Sequence, residues 1–194
     1  MYALPTPRVG SADWPRLVHS ILRSQKRDDL RCLLYRVVMA SKLWTIGYEG
    51  ATLVGFLASL RRARVSLVVD VRAVAVSRRK GFSKTALAAA LCETGIGYLH
   101  LRDLGDPKPG MGAARAGRRR EFRTIYNAHL RGAVVQAALA EAARVVEHRA
   151  KCLLCYEADP SGCHRSIIAA ALSKKTGLAV EHLHSDTPRA LAAS

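Results

Sequence analysis

Six side chains able to do chemistry stand close together in this chain: Cys155, Glu157, Cys163, His164, Arg165 and Ser166, all within KCLLCYEADPSGCHRSIIAAAL (151–172). The apolar run 152–155 suits a buried strand. Residues 156–162 carry two carboxylates, a proline and a glycine and read as a loop. Ile167, Ile168, Ala171 and Leu172 follow at helical spacing. A strand end followed by a helix start is where open α/β proteins place ligands, because the unpaired helix N–H groups and the helix dipole favour anions there.

Each side chain has a chemical reading and a structural one. Cys163 just precedes the helix, where the dipole and Arg165 favour thiolate, the form needed for covalent sulfur or phosphoryl transfer. Cys155 closes the strand and faces the same opening. Either thiol can instead pack as a small hydrophobe. His164 suits acid or base work, or a helix cap. Arg165 offers a planar fork to phosphate or carboxylate, and could equally pair with Glu157, Asp159 or Asp70. Ser166 adds a hydroxyl to the same junction. Cys152 and Cys155 form a C-x-x-C, but residues three apart in a strand point to opposite faces, so Cys152 is assigned to the core. A metal set of Cys155, Glu157, Cys163 and His164 lacks the usual ligand spacing, and no metal and no cofactor are expected.

The elements that must position these groups alternate. Residues 43–46 suit a first strand, closed by Gly47. Thr52 can cap a helix whose Leu53, Phe56, Leu57 and Leu60 share one face. The run 65–71 is β-branched and apolar on both faces, as central parallel strands are. Residues 73–82 form a basic loop, Ser83 caps a helix to about Glu93, and 96–101 make a third strand. Residues 102–117, rich in glycine and proline, read as a long irregular loop facing the site. Two helices follow, one presenting Phe122, Ile125 and Tyr126, the other running from Val134 to Val146. Strand 152–155, the helix from about Cys163 and strand 179–183 complete the pattern. Strands alternating with helices imply one Rossmann-like three-layer α/β/α domain with a mainly parallel sheet of about five strands.

Strand ends converge in such a sheet. Asp70 and Arg72 end the second strand, Glu49 follows the first just after Tyr48, and His100 lies near the end of the third. Polar groups at four strand ends are the arrangement expected of a pocket. Within the basic loop, Ser77 and Arg78 precede Phe82, an aromatic ring able to stack on a base.

The formal net charge is +16, which favours phosphate-bearing partners, whether a small molecule or a nucleic acid. No apolar run approaches the roughly 18 residues of a membrane span, and the first residues lack a secretory pattern. No membrane partner is expected, and a cytoplasmic location follows. Five cysteines, an odd number, point the same way. Residues 1–38 differ in character, with prolines at 5, 7 and 15, whereas Met39 opens a stretch that reads like a natural start. The expectation is an extension over 1–38, a domain over 39–185 and a tail over 186–194. Intact mass of the native protein tests whether Met39 is the initiator. Without the extension's seven basic and three acidic residues the net charge would still be +12.

The segments TIGYEG (45–50), VDVR (69–72), SRRKGFSK (77–84), GIGYLH with DLGDPK (95–108) and LLCYEADPSGCHRS (153–166) together resemble the DUF488 family of bacterial and archaeal proteins. The resemblance spans about Leu43 to Leu183. It implies importance for Gly47, Tyr48, Glu49, Asp70, Arg72, Ser77, Phe82, Tyr98, Leu104, Gly105, Cys155, Glu157, Cys163, His164 and Arg165, and supplies a fold but no settled activity. A likeness to rhodanese and tyrosine-phosphatase loops is one of architecture alone, since Cys155 stands ten positions before Arg165 and Cys163 only two.

The expectation is an enzyme acting on a phosphate-bearing substrate. Arg165 and Arg72 would bind the anion, helped by Tyr48, Glu49, Ser77, Arg78, Phe82, Tyr98, His100 and Ser166. Asp70 or Glu157 would orient them, His164 would be acid or base, and Cys163 or Cys155 a nucleophile. A non-catalytic nucleotide or nucleic-acid binding module, a Cys-dependent sulfur or phosphoryl transfer, and a structural hydrogen-bonded network are the alternatives.

Overall fold

The chain divides into two units, Met1–Met39 and Ala40–Ser194. The computed structural model describes residues 42–147 and 150–185, all in the second. The extension expected over 1–38, the start at Met39 and the tail over 186–194 lie outside the described residues.

Five strands alternate with helices, as the hydrophobic pattern requires: β1 (Lys42–Gly47), β2 (Leu67–Asp70), β3 (Gly97–His100), β4 (Lys151–Cys155) and β5 (Ala179–Leu183). Among the described residues six α-helices join or flank them: α1 (Leu53–Arg62), α2 (Lys84–Glu93), α3 (Lys108–Arg115), α4 (Arg119–Leu130), α5 (Ala133–Val146) and α6 (His164–Thr176). All strand pairs are parallel, in the order β3-β2-β4-β1-β5. The strand β4 therefore lies between β1 and β2, so the carboxyl ends carrying Gly47, Asp70 and Cys155 are neighbours. That adjacency is what assembles the site.

The sheet is covered on both faces, the three-layer arrangement expected. On one face Trp44, Ile46, Val68, Cys152 and Leu154 pack against Phe56 and Leu60 of α1 and Leu87 and Leu91 of α2. On the other, Leu43, Val69 and Leu153 pack against Phe122, Leu139 and Ile168 from α4, α5 and α6. Every residue of β4 is buried, which is why that strand shows no polar alternation. Among the described residues no helix is long and apolar enough to cross a membrane.

Two local expectations need correction. Thr52 caps α1 by accepting from the Gly55 N–H at 3.1 Å, but Ser83, at the N-cap of α2, makes no capping bond. Its hydroxyl donates to the Ser77 carbonyl at 3.1 Å and ties the basic loop shut. Residues 102–117 are not irregular: they hold a 3-10 turn, Arg102–Leu104, and α3. Pro109 is tolerated because the first helical turn has no intrahelical use for its N–H. Gly110 is required by packing, since a β-carbon there would lie 2.1 Å from Asp106 Oδ1.

Candidate functional site

The β4–α6 connection is built from its main chain outward. The Tyr156 carbonyl accepts from the N–H groups of Tyr48 and Glu49, at 3.1 and 2.8 Å, and Glu49 Oε2 accepts from the Ala158 N–H at 3.0 Å. The segments after β1 and β4 are thus stitched together. Arg165, wholly buried, completes the join from α6. Its Nη1 donates to the Glu157 carbonyl, its Nη2 to the Ala158 carbonyl at 3.0 Å, and its Nε to Thr45 Oγ1 at 3.3 Å. Ser166 donates its hydroxyl to the Pro160 carbonyl.

This loop turns Glu157 inward over two thiols. Cys155 Sγ and Cys163 Sγ each donate to Glu157 Oε2 at 3.0 Å. The His164 ring lies 3.8 Å from Cys155 Sγ through either nitrogen, and its Nε2 is 2.9 Å from the Val71 carbonyl. A carbonyl can only accept, so Nε2 carries a proton and Nδ1 is the nitrogen left for other partners. Cys155, Cys163 and His164 are all buried. Burial pushes the Cys155 thiol up, with the Glu157 charge adding to it. Burial and then Cys155 hold the Cys163 thiol well above its ordinary range. Burial works against the Glu157 carboxylate, but the two thiol hydrogen bonds outweigh it and hold the carboxyl below its usual range. For His164 burial is likewise opposed, by Cys163, the Val71 carbonyl and Glu157, and the pKa rises to about 9. The expected thiolate at Cys163 is therefore not favoured: the helix start does not overcome burial beside Cys155.

A second buried network lies at the end of β2. Arg72 Nε and Nη2 grip Asp70 at 2.9 and 2.6 Å, while Nη1 donates to the Tyr48 hydroxyl and the Phe82 carbonyl, both at 2.9 Å. The Tyr98 hydroxyl donates to Asp70 Oδ2 at 2.6 Å, and His100 Nε2 meets the Arg72 carbonyl at 2.8 Å. The Tyr48 ring stacks on Phe82, centroids 4.4 Å apart. Burial disfavours the Arg72 guanidinium, but Asp70 and Tyr48 more than offset this and push it above its usual range.

Above both networks opens a cleft of about 960 Å³, at the upper end for small-molecule sites. It is lined by Tyr48, Glu49, Arg72, Ser77 and Arg78, and at its base by Cys155, Glu157 and His164. Of the other expected site residues, Cys163 reaches it through Glu157. Asp70, Phe82, Tyr98, His100, Arg165 and Ser166 do not line it. Phe82 is buried between Tyr48 and Phe56, so it cannot stack on a base. Arg165 is corrected from anion ligand to internal tie, its donors already engaged by carbonyls and Thr45. Asp70 holds Arg72 in place, and Ser166 lines a small separate pocket beside Cys163.

The cleft also takes residues not expected in the site: Asp106, Arg115, Arg119 from the basic run 118–120, and Phe122. Asp106 is buried, its Oδ1 has no partner among the described residues, and burial raises its pKa to about 6. Arg119 is paired with Asp159 at 3.2 Å. Arg78 and Arg115 are exposed, and neither side chain makes an ion pair or hydrogen bond with another described residue. The overlooked signal was DPKPGMGAARAGRRR, in which a carboxylate and several arginines bracket a small-residue helix.

A parallel three-layer sheet with a polar cleft at its carboxyl edge defines an α/β protein whose opening lies where sheets of this kind place ligands. The chain belongs to the family described as Domain of unknown function DUF488, whose profile matches residues 52–172. That span holds Asp70, Arg72 and the whole Cys155–Arg165 loop, whereas TIGYEG (45–50), with Tyr48 of the Arg72 network, precedes it. No curated protein and no solved structure matches the chain.

Proposed function

We propose that this protein is a cytoplasmic enzyme acting on a phosphate-bearing substrate, a nucleotide or a nucleic-acid end. The substrate would lie in the cleft between β1, β2 and β4, with its phosphate on Arg78 and Arg115. Glu157 and His164, at the base, would move protons to and from the reacting group. The observation that carries this reading is that one cleft combines exposed, unpaired guanidiniums with buried ionisable groups. The expected roles shift accordingly: the anion falls to Arg78 and Arg115, and Arg72 shapes the wall. Neither thiol is a ready nucleophile in this reading, because both are buried against Glu157 and burial favours the protonated form. A thiol-based transfer is thereby disfavoured.

The test is titration of ATP and of a labelled single-stranded oligonucleotide at low and moderate salt, followed by product analysis. Arg78→Ala and Arg115→Ala should each weaken binding by roughly tenfold, as expected for loss of a charge-assisted contact. Glu157→Gln should stop turnover while binding survives. Salt-dependent binding without any product would favour a non-catalytic module. Binding indifferent to both arginines would overturn the assignment.

A further inference from the structure

We infer that Cys155, Cys163, His164 and Glu157 form a binding site for one divalent zinc ion. The sulfurs of Cys155 and Cys163 and a ring nitrogen of His164 lie within 4.8 Å of one another. Cys155 Sγ stands 3.8 Å from His164 Nδ1, and Glu157 Oε2 stands 3.0 Å from each sulfur. A tetrahedral zinc ion, with bonds of about 2.3 Å to sulfur and 2.0–2.1 Å to nitrogen or oxygen, separates its donor atoms by roughly 3.3–3.8 Å. The two sulfurs and the imidazole nitrogen thus need only small movements to close on an ion, and Glu157, already against both sulfurs, would swing further to complete the shell.

The surroundings fit a metal as well. His164 donates Nε2–H to the Val71 carbonyl, the outer contact that fixes a ligating imidazole and presents its other nitrogen to the ion. Two thiols with one imidazole and one carboxylate select a borderline-soft ion over magnesium or calcium. Near the cluster, Asp106 brings a buried carboxylate oxygen without a partner into the same cleft. Binding would displace the thiol protons now donated to Glu157. Of the four ligands Glu157 alone is partly exposed. Its exchange for water or a substrate oxygen would open the ion to the cleft.

The spacing Cys-x-Glu-x5-Cys-His hides this site in the sequence, where it matches no usual metal pattern. The site does not depend on a phosphate-bearing substrate: with the ion bound, Glu157 and His164 serve as ligands, so the proton-transfer roles proposed above belong to the metal-free site, and the arginine variants test the substrate reading separately. The whole chain, purified without chelator under reducing conditions, is analysed for metal by plasma mass spectrometry, with about one zinc per chain expected. After chelation it is refilled with cobalt(II), which should give the visible bands of a tetrahedral ion and thiolate-to-cobalt charge transfer in the near ultraviolet. Cys155→Ser and Cys163→Ser should each lose the zinc and at least about half of the charge-transfer intensity, which scales with the number of thiolates bound. Cys152→Ser and Cys92→Ser should change neither. Should a Ser variant fail to fold, X-ray absorption of the zinc-loaded wild type decides, with two sulfur and two nitrogen or oxygen neighbours expected. A wild-type chain that carries no zinc, and gives only the pale spectrum of hydrated cobalt, overturns the site. So does a shell of oxygen and nitrogen alone.

Discussion

Gly47 lies so close to Glu157 that a β-carbon on it would stand 1.8 Å from the Glu157 carbonyl oxygen. No rotation of a side chain relieves that contact, because the obstacle is main chain on both sides. Gly47→Ala must therefore push the loop after β4 away from β1 and carry the Glu157 carboxylate off the two thiols. The expected cost is about 1–3 kcal/mol, the range for overpacking a well-filled site, read as a lower urea midpoint. Metal content should fall with it. A variant of unchanged midpoint and unchanged metal content would show that the loop is not held against β1 as described.

Arg165 anchors the same loop from the other side. With its guanidinium replaced in Arg165→Met, the Glu157 and Ala158 carbonyls and Thr45 Oγ1 lose their donors while much of the side-chain volume remains. Ala158 is exposed and Thr45 keeps its bond to His182, so the loss falls mainly on the partly buried Glu157 carbonyl and the freed volume, about 1–3 kcal/mol in all. Chemical denaturation with far-ultraviolet circular dichroism measures it. Intact stability together with abolished phosphate binding would return Arg165 to the role of anion ligand.

These two residues show what was legible before the structure and what was not. Elements defined by neighbours in sequence could be read directly: the Thr52 cap, the apolar face of α1, the doubly buried run of β2, the strand–loop–helix around Cys155. The clustering of Cys155, Glu157, Cys163 and His164 in one short segment was legible as a place for chemistry. Their meeting round a single point was not, since it depends on the loop path that Arg165 and Gly47 impose from α6 and β1. An arginine that binds an anion and one that binds carbonyls are the same letter, and only burial separates them. Asp106 stands just before α3, and nothing local in the sequence shows that the helix buries its carboxylate against Gly110. The glycines and proline of α3 obey helix rules only through position: Pro109 in the first turn and Gly110 against Asp106.

The thiols give a third prediction. Among the described cysteines Cys92 is exposed, while Cys152, Cys155 and Cys163 are buried, and burial pushes all three of these upward. Brief iodoacetamide treatment of chelated protein near neutral pH should label Cys92 and leave the three buried thiols at least roughly tenfold slower, since the thiolate is the reactive species. Peptide mass mapping reads the sites. Fast labelling of Cys163 in the folded chain would restore it as a nucleophile and weaken the case for Glu157 and His164 as the working pair.

Asp106 supplies a pH test whose sign follows from its surroundings. Burial, with the Glu157 charge adding to it and the two histidines His164 and His129 opposing, raises the carboxyl from 3.8 to about 6. The folded state then holds this proton more tightly than the unfolded chain. Its contribution to stability is complete below about pH 4 and disappears as the pH rises through about 6, leaving a buried charge that works against folding. A displacement of this size is worth at most about 3 kcal/mol. Asp106→Asn keeps the shape and removes the titration. In chelated protein the variant should be the more stable near neutrality, and its advantage should shrink steadily as the pH is lowered from about 7 to about 4. Urea midpoints of both proteins across that interval measure the difference. Curves that stay parallel would mean that Asp106 ionises in the fold as it does in water, with Oδ1 solvated from the cleft rather than left alone beside Gly110.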